Sequence, residues 1–173
     1  LDMQALAPMH NPIEMDELIE HVVHKLQANP MYRTLYYEAF GDSTATGEHT
    51  LKALSAFMLT LVSAGSKYDS VRLHRSAFTL QENKGYGLFK THCAGCHTEP
   101  LFTNNSYQNN GLRMDDFLHD QGRMRISKNP VDSMKFKVPT LRNIEYTYPY
   151  MHDGRFRQLS EVINHYNQGI CNS

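Results

Sequence analysis

The stretch FKTHCAGCHTEPLF, residues 89–102, holds Cys93 and Cys96 at C-x-x-C spacing with His97 directly behind the second cysteine. Three chemistries compete for such a motif. A zinc site needs four ligands, and no second cysteine pair at matching spacing accompanies this one. A thioredoxin-like switch expects a β-α-β neighbourhood, which the flanking sequence lacks. Covalent haem attachment needs only what is present: two thiols to add across the vinyl groups, and a histidine delivered to one face of the iron. C-x-x-C-H is the signature of that attachment, so the motif reads as a haem c site with His97 as the proximal ligand.

The bulk composition narrows the classes further. The chain has 173 residues, enough for one well-filled domain or two small lobes. Its net charge of -1, with both signs interspersed, argues against a nucleic-acid binder that presents a basic face. No apolar run is long enough for a membrane span, and the first residues lack the basic and apolar regions of a signal peptide. Three cysteines are too few for a disulfide framework. Two belong to the motif, and Cys171 is expected to be an idle thiol near the end of the chain.

The hydrophobic pattern predicts helices joined by long polar loops. Asn11 and Pro12 read as an N-cap and first helical residue, followed by Ile13, Leu18, Ile19, Val22, Val23 and Leu26 at helical spacing, with Asn29-Pro30 as the stop. An aromatic helix from about Tyr32 to Phe40 stops at Gly41. Thr46 caps a third, which Gly65 closes, and the capping box Thr79-Leu80-Gln81-Glu82 opens a fourth that runs towards Cys93. From Thr98 to Pro149 there is little periodicity. That predicts a long wrapping loop with a brief helix near Met114 to Leu118. A last helix covers about Leu159 to Asn167, ahead of Gly169. No convincing strand set is visible, so the fold class is all-α.

A haem iron held by His97 needs a sixth ligand, and the C-terminal third offers Met151, His152, His165 and Tyr166. His/Met ligation raises the potential, whereas tyrosinate is an anionic donor that stabilises ferric iron. Spacing alone does not choose among them. Pro100 is positioned to lend its carbonyl to the second nitrogen of His97, or to serve as a plain turn residue. Arg142 matches a haem propionate or an ordinary salt bridge equally well. Glu14, three residues behind Asn11, completes a capping box on a purely local reading.

The segment KFKVPTLRNIEYTYPYMHDGRFRQLSEVINHYNQG resembles the second haem domain of bacterial dihaem cytochrome c peroxidases, in particular the MauG-like branch. GYGLFKTHCAGCHTEPLFT and GRMRI are similar to that family as well, and the likeness runs through essentially the whole chain. The resemblance implies a cytochrome c-like haem domain with wrapping loops over residues 66–173, preceded by helices over residues 1–65 that belong to or border the peroxidatic haem domain. It implies His97 and Tyr166 as the axial pair, with Met151 in reserve, and Thr147 and Pro149 as backbone-carbonyl ligands of a calcium ion. It also matches Gln4, Pro8 and Glu14 to the distal pocket of the peroxide-binding haem. Glu14 would there shuttle a proton between the peroxide oxygens, and Gln4 would orient the peroxide.

Two features depart from the family pattern. There is no second C-x-x-C-H ahead of Gln4, and no tryptophan to bridge two haems. The expectation is therefore a fragment of a two-haem protein, with a second haem in the full-length molecule. The implied function is reduction of hydrogen peroxide to water in the periplasm, with electrons from a small cytochrome or cupredoxin, in a protein that could be a homodimer. The alternatives are a stand-alone monohaem electron carrier without catalysis and a MauG-like oxidase of a partner protein.

Overall fold

A computed structural model describes residues 1–168, so Gly169 and Cys171 lie outside the described residues. The chain divides into two compact units, Leu1–Val62 and Ser63–Ser173.

In the first unit, α1 (Asp2–His10) packs on α4 (Gly47–Thr60) and α2 (Ile19–Ala28), and α2 also meets α3 (Pro30–Phe40) and α4. The ends follow from local chemistry. Asp2 stands in the first turn of α1, where a carboxylate complements the helix dipole. Asn29 accepts from the Met31 N–H, Pro30 opens α3, and Gly41 closes it at φ 76°. Thr46 accepts from the His49 N–H to start α4. Ala5, Met9, Tyr36 and Ala45 form the buried apolar centre. Beside it the Tyr36 hydroxyl meets Thr50 Oγ1 at 2.6 Å.

The helix expected from Pro12 begins instead at Ile19. Asn11 spends its side chain on a turn: Oδ1 accepts from the Ile13 N–H at 3.2 Å, and Nδ2 donates to Glu14 Oε1 at 2.7 Å. The chain then doubles back, with Asp16 at φ 46° and the Met15 N–H bonded to the Pro8 carbonyl at 3.3 Å. The carboxylate of Glu14 thus bonds a side-chain amide where a capping box would have it bond a backbone N–H, and Ile13 is left exposed.

The second unit is mostly helical. α5 (Lys67–Arg72) starts at a capping box of Ser66 and Asp69, and α6 (Leu80–His92) at the capping box of Thr79 and Glu82, which runs to Cys93 as expected. α7 (Met124–Ser127) and the 3-10 turn Pro130–Asp132 are short, and α8 covers Leu159–Gln168. The expected helix near Met114 is a turn. The all-α expectation needs one amendment, a small antiparallel sheet. β1 (Tyr107–Asn109) pairs with β2 (Lys135–Lys137) in the register Tyr107↔Lys137, Gln108↔Phe136 and Asn109↔Lys135. Strands of three residues are too short to leave a period-two signature. Leu112, Met134 and Val138 are the buried apolar residues among the described residues of this unit. Leu88, Leu101 and Ile163 remain exposed.

Candidate functional site

The cysteine motif is a continuation of α6 wound into a tight turn. Cys93 caps the helix with its N–H on the Phe89 carbonyl at 2.8 Å, and the Cys93 carbonyl accepts from the N–H groups of Cys96 (3.1 Å) and His97 (2.9 Å). Asn104 closes the far side, donating through its backbone to the Cys96 carbonyl at 2.9 Å and through its side chain to the Gly95 carbonyl at 3.1 Å. Both thiols are free and half-buried. Burial, and then the neighbouring Cys96, pushes the Cys93 thiol up from its ordinary range.

The His97 ring is held by one nitrogen. Nδ1 lies 3.0 Å from the carbonyl oxygen of Phe102, so Nδ1–H donates and Nε2 is the tautomer's free lone pair. Pro100, which the sequence offers either as that partner or as a plain turn residue, does not supply the carbonyl. Its carbonyl is occupied by Arg142, whose Nε and Nη2 reach it at 3.0 and 2.8 Å. Arg142 also forms a bidentate pair with Asp69 (Nη1–Oδ2 3.0 Å, Nη2–Oδ1 2.9 Å) and donates to the Ser63 carbonyl. Arg142 holds the Asp69 carboxyl far below its ordinary range, assisted by Ser66. Behind the loop, Tyr86 donates to Glu99 Oε1 at 2.7 Å. Burial, then Glu99, pushes the Tyr68 hydroxyl to about 12.

The four sixth-ligand candidates differ in what already holds them. Met151, at φ 72°, has its sulfur 3.5 Å from Asn110 Nδ2. His165 Nε2 meets the Asn110 carbonyl at 2.8 Å. His152 stacks on Phe136 at 3.8 Å and 12°, its Nε2 3.9 Å from Asp153 and its Nδ1 buried without a partner. The Tyr166 hydroxyl makes no hydrogen bond to a described residue. Burial first, then the sulfurs of Cys96 and Cys93, push its hydroxyl up. Ligation as tyrosinate would need a nearby positive charge to offset that shift.

These residues fit haem c. Two thiols share one turn at a helix end, the His97 imidazole is held at Nδ1 and leaves Nε2 available, and α8 carries a phenol. They do not fit a structural metal ion: among the described residues no group of three His, Cys, Asp or Glu side chains could hold one.

In the first unit, Gln4 and Pro8 are one helical turn apart on α1, and the bond from the Met15 N–H to the Pro8 carbonyl returns the 11–17 turn to that end of the helix. Gln4 and Glu14 are both exposed. Thr147 and Pro149 lie on the exposed turn ahead of α8. Sequence reasoning missed three contributors. Phe102 acts through its backbone and carries no residue-type signal. Asn110 links Met151 to His165 only through tertiary structure. Asp69 was findable, because Ser66-x-x-Asp69 is a capping-box pattern.

Known proteins resemble this chain along nearly its whole length. The sequence model described as di-haem cytochrome c peroxidase matches residues 1–77. The cytochrome c551 peroxidase of Nitrosomonas europaea is 37% identical over 94% of this chain and 50% of its own length. The methylamine utilization protein MauG of Methylorubrum extorquens is 37% identical over 98% of this chain and 49% of its own. The crystal structure of a MauG-like protein associated with microbial copper homeostasis superposes with a TM-score of 0.82 at 29% identity, covering 95% of this chain and 54% of that one. The chain spans about half the length of these relatives. No helix among the described residues is long and apolar enough to cross a membrane. With a C-x-x-C-H turn, a cytochrome c-like helical frame and this likeness along nearly its whole length, the chain belongs to the family of dihaem cytochrome c peroxidases and MauG proteins.

Proposed function

We propose that this chain is the electron-transfer haem portion of a dihaem cytochrome c peroxidase together with part of the peroxide pocket. The whole protein would reduce hydrogen peroxide to water: one peroxide, two protons and two electrons give two waters. A small cytochrome or cupredoxin would supply the electrons. The observation that carries this reading is the His97 ring, fixed at Nδ1 by the Phe102 carbonyl with Nε2 left for iron, beside two thiols at attachment spacing. Haem c, when bound, supplies the iron that relays electrons and activates peroxide.

The chain's own residues supply the rest. Cys93 and Cys96 would tether the ring, and His97 and Tyr166 would hold the iron, with Met151 as the reserve ligand. In the other unit Glu14 takes a proton from the inner peroxide oxygen and returns it to the departing one, and Gln4 orients the peroxide by hydrogen bonding. Asn11 occupies one carboxylate oxygen of Glu14, which leaves Oε2 for that shuttle. A periplasmic location, a calcium ion on the carbonyls of Thr147 and Pro149, and a homodimeric assembly belong to the same proposal.

The test is Glu14→Gln in the full-length protein. Peroxide turnover should fall by about 10²–10⁴-fold with haem content unchanged. Turnover at the original rate would reject Glu14 as the shuttle. Tyr166 supports a second reading, MauG-like oxidation of a partner protein, because an anionic ligand favours high iron oxidation states.

A further inference from the structure

We propose that Arg142 is a positioning residue for the haem histidine: locked onto Asp69, it fixes the loop whose Phe102 carbonyl orients the His97 ring. The inference rests on reading His97 as the haem ligand.

The hydrogen bonds form a pattern along the chain. Three successive carbonyls follow the motif. The carbonyl of Pro100 is taken by Arg142, from Nε at 3.0 Å and Nη2 at 2.8 Å. That of Leu101 is taken by the Thr140 hydroxyl. The third, Phe102, is left facing His97 Nδ1 at 3.0 Å. Thr103 then returns the grip, its hydroxyl donating to the Val138 carbonyl at 2.6 Å. The segment 138–142 thus holds the loop on both sides of the carbonyl that matters.

Phe102 needs such a hold. Its φ of 56° lies in the left-handed region, where a non-glycine residue stays only if its surroundings over-determine it. The Arg142 guanidinium also lies 5.7 Å from the centre of the Phe102 ring. Arg142 itself is fixed by the two bonds to Asp69 and by the Ser63 carbonyl, and the two side chains are 16% and 14% exposed. Asp69 is in turn held by the Ser66 N–H at 2.9 Å and its hydroxyl at 2.7 Å. Every nitrogen of the guanidinium is engaged within the protein, so its fork serves the loop and not a haem propionate.

The consequence is electronic as well as geometric. An Nδ1–H held by a carbonyl makes the imidazole a stronger donor, which favours ferric iron. Loosening the loop weakens that donor and raises the potential. Arg142 acting only through its charge would do something different, because lysine keeps the charge but loses the planar fork.

The experiment compares Arg142→Lys and Asp69→Asn with the wild type in the haem-loaded protein, reading haem midpoint potential and amide exchange at Thr103 and Asn104. These amides bond to the Thr98 and Cys96 carbonyls and so report the loop. Positioning predicts that Arg142→Lys raises the potential and that both variants speed exchange at these amides at least tenfold. A wild-type potential in Arg142→Lys with unchanged exchange would overturn the proposal. Intact mass separates the two readings. A polypeptide without haem under maturation conditions defeats the haem assignment, while exchange in Asp69→Asn still decides whether the clamp holds the loop.

Discussion

His97 and Phe102 are joined by a single hydrogen bond of 3.0 Å, from the imidazole Nδ1 to a backbone carbonyl five residues on. That bond fixes the tautomer of the ring and aims Nε2 away from the loop. Everything behind it, from the Tyr86–Glu99 contact to the Asp69–Arg142 pair, holds this short piece of chain in place.

Tyr166→Phe tests the opposite side of the site. The ferric spectrum of the haem-loaded protein should lose its phenolate-to-iron charge-transfer signature, and the potential should rise. A spectrum identical to wild type would hand the role to Met151, whose sulfur then has to leave Asn110.

Thr79→Ala tests the helix that delivers the motif. The Thr79 hydroxyl accepts the Glu82 N–H at 3.2 Å, and the loss should cost about 1 kcal/mol in a urea titration. The Glu82 carboxyl is lowered to about 2 by Lys67 and by Thr79. Its folded pKa is depressed, so its stabilisation is present above the unfolded value of 4.5 and fades as pH falls from there towards 2. Glu82→Gln should therefore differ from wild type at pH 7 and converge with it near pH 2. A difference that persisted undiminished in acid would contradict the linkage.

Gly122→Ala should be destabilising. Gly122 has φ 60°, and an added Cβ would come within 2.5 Å of the Lys135 carbonyl oxygen, a backbone atom that cannot move aside. The left-handed conformation alone costs roughly 1–2 kcal/mol. A denaturation midpoint unchanged from wild type would show that the bridge between Gly122 and Lys135 is not maintained in solution.

Tyr36→Phe probes the first unit. The Thr50 hydroxyl donates to the Thr46 carbonyl at 2.7 Å, so at the 2.6 Å contact Tyr36 must be the donor. Removing it should cost about 1 kcal/mol without altering the helices, measurable by denaturation with circular dichroism.

The parts of this structure that were legible in the sequence are those governed by neighbours in sequence. The capping box at Thr79, the Asn29-Pro30 stop, the Gly41 stop and the C-x-x-C-H turn each depend on a few consecutive residues. Asn11 misled because its side chain had two uses: it could cap a helix or build a turn with Glu14, and the turn won. The β1–β2 pair joins residues that are far apart in sequence and too short to show a period. The site divides the same way. Cys93, Cys96 and His97 announce themselves by spacing. The candidates Met151, His152, His165 and Tyr166 could not be ranked, because what separates them is tertiary: an Asn110 shared by Met151 and His165, and a stack of His152 on Phe136.

The most direct test of the central claim is the intact mass of the protein produced with cytochrome c maturation, compared with the double variant Cys93→Ser/Cys96→Ser. The account predicts haem covalently bound through this chain in the wild type and its loss in the variant. A wild-type chain that leaves the maturation system with two free thiols and no added haem would contradict it.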